Sequence, residues 1–225
     1  MIIVILPGLD GTGELLSEVS DLLATRHDPI AIQYPSNLFR YEDIQAWVEE
    51  FLPKDDYIIV AESFSGPLAV MIAAKRPFNL KGVVFVATFA KAPKRFPIFL
   101  TYFIEILPLK SKILARMAQP LLMGRWTRKE FTTNFQKALS IVPPSTIAGR
   151  LREILNVDVR KQLHTLNVPA IYLSAASDLL VPAKMALDFQ LAPGAISQLE
   201  GPHFLLQANY SMAAKRISEF ASSLG

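Results

Sequence analysis

Short, uniformly apolar runs alternate with helical patterns along most of the chain. "MIIVIL" (1–6) precedes "GELLSEVSDLLATR" (13–26), "PIAIQYP" (29–35) precedes "YEDIQAWVEEFL" (41–52), and "YIIVAES" (57–63) precedes "GPLAVMIAAKRP" (66–77). "KGVVFVATF" (81–89) leads into a long middle segment, after which "VPAIYLSAAS", "PAKMALDFQLA", "AISQLEG" and "SMAAKRISEFASSL" resume the alternation. Runs that are apolar throughout, rather than at every second position, predict strands buried on both faces. Six such strands with helical crossovers predict a doubly wound, mainly parallel α/β sheet.

The middle segment has a different period and no strand pattern. "TRKEFTTNFQKALSIV" opens with Thr127 and Glu130 at capping-box spacing, and "STIAGRLREILNV" puts Ile147, Leu151 and Ile154 on one helical face. The expectation is a core of residues 1–87 and 161–225, with an all-helical cap, 88–160, inserted after the fourth strand. Such a cap would sit above the strand ends, where open α/β sheets bind ligands.

Charge separates the same two parts. Residues 88–160 hold thirteen Lys and Arg against four Asp and Glu, an excess of nine, so the rest of a chain of net charge +3 carries −6. Arg116, Arg125, Arg128, Lys129, Arg150 and Arg152 are expected to make the cap's outside basic. That is either a solvated face or a surface for an anionic partner such as acyl carrier protein, coenzyme A or an anionic membrane surface. No nucleic-acid partner is expected. With no cysteine there is no disulfide, thiolate nucleophile or cysteine-bound metal, which suits a cytoplasmic location. The opening run lacks a basic leader and reaches Pro7-Gly8 too early for a signal peptide, so it reads as a buried strand. "FPIFLTYFIEILPL" (96–109) is interrupted by Glu105 and Pro108 and is too short to span a bilayer.

Candidate chemistry begins in "AESFSGPLA" (61–69), where two serines stand between a strand and a helix. A nucleophile on a strand-to-helix elbow needs small residues two before it and two or three after it. Ala61, Ser65 and Gly66 satisfy that around Ser63, whereas Pro67 and Leu68 would follow Ser65. Ser63 is therefore the candidate, against the alternative that either serine only caps the helix. His203, in "LEGPHFLL", follows the last strand, and Asp178, in "LSAASDLLVP", follows the one before it. His27 and His164 read as surface or core residues. Ser63, Asp178 and His203 at strand ends suit a nucleophile, an orienting acid and a general base, with Asp158 as the substitute acid.

The loop "LPGLDGTG" could aim the Leu9 amide at the same point as the Phe64 amide, giving two donors for an oxyanion. Its glycines, 8, 11 and 13, do not have dinucleotide spacing, no acidic residue ends the second strand, and no histidine pair has metal-ligand spacing. Neither cofactor nor metal is expected. The apolar residues Phe96, Phe99, Phe103, Leu122 and Trp126 of the cap either line an acyl pocket or pack among themselves.

With these motifs the chain resembles the α/β-hydrolase superfamily over nearly its whole length. "LPGLDG" looks like the oxyanion loop, "AESFSG" the nucleophile elbow, "SDLLVP" the acid turn and "GPHF" the histidine loop. Pro7 stands where many members have histidine, and the chain begins at the strand that carries the oxyanion loop. The cap and its exit are similar to small carboxylesterases of the pimeloyl-ester esterase type. The resemblance implies a serine hydrolase cleaving a carboxylic ester through an acyl-enzyme. A thioesterase acting on coenzyme A or acyl carrier protein thioesters, and a non-catalytic receptor on the same fold, are the alternatives.

Overall fold

The computed structural model describes residues 1–93, 97, 99, 101, 102, 105 and 122–225. Six strands, β1 (Ile2–Leu6), β2 (Asp28–Ala31), β3 (Tyr57–Glu62), β4 (Leu80–Val86), β5 (Ala170–Ala175) and β6 (Ile196–Leu199), form one sheet in the order β2-β1-β3-β4-β5-β6. Every neighbouring pair is parallel. The alternation of side chains along a strand explains the uniformly apolar runs. Val4 and Leu6 of β1 enter the core on one face, while Ile3 and Ile5 enter the core on the other, and all are fully buried.

Helix α1 (Ser17–Leu23) and the closing helix Tyr210–Ser222 cover one face of the sheet. Helices α2 (Tyr41–Glu49) and α3 (Ser65–Ala74), with the short helix Arg160–Leu163, cover the other. Because all strands run the same way, the loops after β1, β3, β5 and β6 gather along one edge of the sheet.

Between β4 and β5 the described residues are helical, chiefly in Lys129–Ile141 and Pro144–Asn156. The two ends of this segment are joined. Lys91 and Asp158 form an antiparallel bridge, Ala92 N donates to Val157 O (3.1 Å), and Val159 N donates to Ala90 O (2.8 Å).

Three local expectations are corrected. The capping box at Thr127 and Glu130 does not form, because the helix begins at Lys129 and Thr127 closes the preceding turn by donating to Gly124 O. "AKMALDF" winds as a 3₁₀ helix (Ala183–Phe189). "PIAIQYP" pairs only as far as Ala31; Ile32 N still donates to Ile5 O, but Tyr34 N donates to Gly11 O, so the run ends against the loop after β1.

Candidate active site

Ser63 sits at the end of β3 with φ +49°, a left-handed conformation that costs a non-glycine residue about 1–3 kcal/mol. Its surroundings hold it there. Ser63 N donates to Val86 O (2.9 Å), and Ser63 O accepts from Gly66 N (3.1 Å) and from the Thr88 hydroxyl. Close approach explains Gly66: a Cβ at that position would lie 2.0 Å from Thr88 Oγ1. Of the small residues read around Ser63, Gly66 is thus required by contact.

The three residues predicted at separate strand ends meet. Ser63 Oγ lies 2.7 Å from His203 Nε2, and His203 Nδ1 lies 2.9 Å from Asp178 Oδ2. A carboxylate can only accept, so the imidazole proton belongs on Nδ1 and Nε2 is left to accept from the serine. Asp178 is fixed in turn, its Oδ1 accepting from Leu180 N and Val181 N, both at 2.8 Å. The side chains of His203 and Asp178 are only 7% and 5% exposed, which shields their pairing from water. Asp158, the substitute acid, instead chelates the Arg160 guanidinium at 2.9 and 2.6 Å, and this pairing holds its carboxyl down at about 2. His27 bonds Ser218 (2.7 Å), away from this group.

Ser65 is not a helix cap. It is fully buried, and its hydroxyl donates to Pro7 O while lying 2.6 Å from the Tyr34 hydroxyl. A serine has one proton to give, so Tyr34 is the donor to Ser65.

Leu9 and Phe64 lie on the two loops beside Ser63. A peptide's N–H points opposite its C=O, so tying the carbonyl aims the amide. Gly8 O accepts from Gly11 N (3.1 Å), which orients the Leu9 N–H; Ser63 O, held as above, orients the Phe64 N–H. Among the described residues neither amide has a hydrogen-bond partner. Phe64 itself is stacked on Tyr41 at 4.6 Å, and its carbonyl accepts from the Tyr41 hydroxyl.

Two buried charges were not anticipated in these positions. Glu62, immediately before Ser63, is 3% exposed; burial pushes its carboxyl up to about 7, opposed by the hydrogen bond from Gln207 and by nearby His203. An acidic residue closing an otherwise apolar run was the available signal. Arg150 was placed on the basic exterior, and the structure corrects this: it is 0% exposed and donates to main-chain carbonyls of the core.

The remaining cap residues divide. Leu122, Trp126 and Phe204 pack against the cluster of Leu15, Met123, Phe131, Phe135 and Ala208, and Phe204 is edge-on to His203 at 5.8 Å. Phe99 is 57% exposed instead of enclosed; Phe96, Phe103 and Arg116 lie outside the described residues. A cleft of about 550 Å³ opens between Met123, Arg125 and Trp126 on one side and Leu179, Glu200 and Pro202 on the other, between the acid turn and the histidine loop. Arg125 pairs with Glu200, Arg128 bidentately with Glu18, Arg152 with Glu105, and Lys137 with Glu14. Among the described residues, three of these four pairs join the basic segment to the acidic core, which meets part of the charge asymmetry internally. Lys129 is exposed and has no acidic partner among the described residues.

Among the described residues there is no group of three side chains that could hold a metal ion, and no helix is long and apolar enough to cross a membrane.

The sequence matches no family model and no curated protein. Solved structures match closely in fold. Bromoperoxidase from Bacillus anthracis superposes with a TM-score of 0.86 at 15% identity, over 98% of this chain and 91% of that one. The enol-lactonase from Burkholderia xenovorans LB400 gives 0.82 at 14%, over 98% and 91%. A putative lipase from Acinetobacter baumannii gives 0.81 at 17%, over 99% and 84%. At these identities the likeness is one of fold, and the fold is that of the α/β-hydrolases.

Proposed function

We propose that the protein is a serine hydrolase that cleaves a carboxylic ester with an apolar acyl group through an acyl-enzyme on Ser63. The observation that carries this reading is the continuous chain from Ser63 Oγ through His203 to Asp178, set on a strained elbow beside two unpartnered amides. His203 Nε2 takes the Ser63 proton as Oγ attacks the ester carbonyl, and the carbonyl oxygen becomes an anion facing the Leu9 and Phe64 amides. Collapse breaks the bond to the alkoxy group, which leaves with the proton returned by His203. Water, deprotonated by the same nitrogen, then releases the acid and restores Ser63. Asp178 keeps the Nδ1 proton in place and stabilises the imidazolium. The segment 88–160 serves as the cap.

The apolar acyl group is inferred from Met123, Trp126, Leu179 and Pro202, which border the cleft beside the acid turn and the histidine loop. Each CH₂ buried there would contribute roughly 0.8 kcal/mol. Enol-lactonase and lipase names among the fold's relatives are in keeping with ester chemistry. No observation favours a thioester or an anionic carrier over a simple ester, since among the described residues Arg125, Arg128 and Arg152, which would recognise such a carrier, already have acidic partners.

The test is a series of p-nitrophenyl esters from acetate upward, with fluorophosphonate labelling of Ser63. The reading expects labelling at Ser63 and kcat/KM rising with acyl length until the cleft is filled. A folded protein that neither labels nor hydrolyses any ester overturns it in favour of a receptor.

A further inference from the structure

Arg150 is among the largest fully buried side chains of the described residues, and it lies in the inserted helix Pro144–Asn156 rather than in the core sheet. It makes five hydrogen bonds, all to main-chain carbonyls. Nη1 donates to Leu9 O (2.9 Å) and Asp10 O (2.7 Å); Nη2 donates to Leu38 O (3.0 Å) and Pro35 O (3.4 Å); Nε donates to Leu38 O (3.1 Å). The planar fork of a guanidinium suits this double grip, one edge on each of two loops. Gly11, at φ +71°, makes room for it, because a Cβ there would stand 2.3 Å from Arg150 Nη1.

Resting on the hydrolase reading above, we propose that Arg150 is a positioning residue that fixes the Leu9 oxyanion donor from the cap, so the donor pair is complete only while this helix is seated. The aim of the Leu9 N–H depends on both peptides that flank Leu9. The first is tied by the turn bond from Gly11 N to Gly8 O; the second has its Leu9 carbonyl tied by Arg150. Without the guanidinium, the Gly11 N–Gly8 O turn bond, the Tyr34 N–Gly11 O bond and the Ser65–Pro7 O bond would remain, but none of them ties the Leu9 carbonyl, and the corner beside it is a glycine in the left-handed region, free to adopt other conformations. A displacement of about 0.5 Å spoils such a donor. Thr146, which donates to Ser36 O, and Glu153, which accepts from Tyr41 N, seat the same helix but do not touch the Gly8–Gly11 turn. Control over the donor therefore runs through Arg150.

The experiment compares wild type, Arg150→Met and Arg150→Lys. Lysine keeps a buried cation but cannot span both loops, and it carries the comparison if the methionine variant fails to fold. Losing an oxyanion donor costs about 10²–10³ in kcat, so kcat per fluorophosphonate-titrated Ser63 should fall by about 10–10³-fold with KM changed less than about threefold. Affinity for a trifluoromethyl ketone, which places an oxyanion in the site, should fall by the same factor as kcat/KM. Amide exchange at Gly11 and Tyr34, both hydrogen-bonded in this loop, should quicken. If the variants lose only titratable sites and thermal stability, with kcat per site, ketone affinity and those exchange rates unchanged, Arg150 is merely structural and the proposal is overturned. Should wild type prove inert toward esters, the hydrolase reading fails by itself, and the exchange rates still decide whether Arg150 holds the loop.

Discussion

The Ser65 hydroxyl donates to the main-chain carbonyl of Pro7, joining the first turn of the helix behind Ser63 to the loop that carries Leu9. The two halves of the proposed oxyanion site are thus bonded to each other through a residue that does no chemistry itself. Ser63→Ala should lower kcat by ~10⁴-fold or more, as loss of a nucleophile does. Ser65→Ala should cost far less, roughly 10-fold in kcat, and about 1–2 kcal/mol of stability, because Pro7 O and the Tyr34 hydroxyl both lose a buried partner. Steady-state rates and thermal melts of the two variants separate the roles; equal losses in kcat would refute the assignment of Ser63.

Asp178→Asn should leave the fold intact and lower kcat by about 10⁴-fold. Its side-chain oxygen would still be required by the Leu180 and Val181 amides, turning an NH₂ toward His203 Nδ1 and favouring the wrong imidazole tautomer. Asp158→Asn should leave the rate unchanged, since that carboxylate faces Arg160. The paired rate measurements decide between the two acids.

Glu62 gives a pH signature. Its carboxyl ionises at about 7 in the folded chain against 4.5 when unfolded, so the unfolded state gains charge first. Glu62's contribution to stability is therefore complete below about pH 4.5, declines as pH rises to about 7, and is level beyond that. The span is on the order of 3 kcal/mol. Glu62→Gln should remove this decline, so urea denaturation at about pH 5 and about pH 8 should show the variant gaining on wild type at the higher pH. Parallel curves would mean that Glu62 is not buried as a neutral acid.

Gly66→Ala would drive a methyl into the Thr88 side chain, the group that holds Ser63 O. The expected cost is about 1–3 kcal/mol of stability together with a lower kcat. Adding Thr88→Ala should recover part of the loss, and a double-mutant cycle reads the coupling. Strict additivity would show that the two residues do not compete for the same space.

Much of this site was legible because its signals are local. Uniformly apolar runs marked the largely buried strands β1, β3, β4 and β5, whereas the edge strands β2 and β6 are shorter and more exposed. The requirement for small neighbours singled out Ser63 over Ser65 within nine residues of sequence. Asp178 and His203 followed from their places at strand ends. Arg150 was not legible, because what distinguishes it from a surface arginine is four carbonyls on loops more than 110 residues earlier in the chain. The pairing of Arg128 with Glu18 and Arg125 with Glu200 was hidden for the same reason, so a charge asymmetry along the sequence read as an exposed face. The failed capping box at Thr127 shows the opposite error, a local pattern overruled by a competing turn to Gly124.

The paired strands of chain at Ala90–Ala92 and Val157–Val159 make the inserted segment exchangeable in principle. Its two ends already lie side by side, so doubling the length between them would add only about 0.6 kcal/mol in closure entropy. Segments of other lengths could be spliced at this stem without disturbing β4 or β5, letting one sheet acquire different substrate-facing surfaces. What limits such recombination at the site is Arg150: an incoming segment that lacks an equivalent would join the core covalently yet leave the Leu9 and Asp10 carbonyls without their grip.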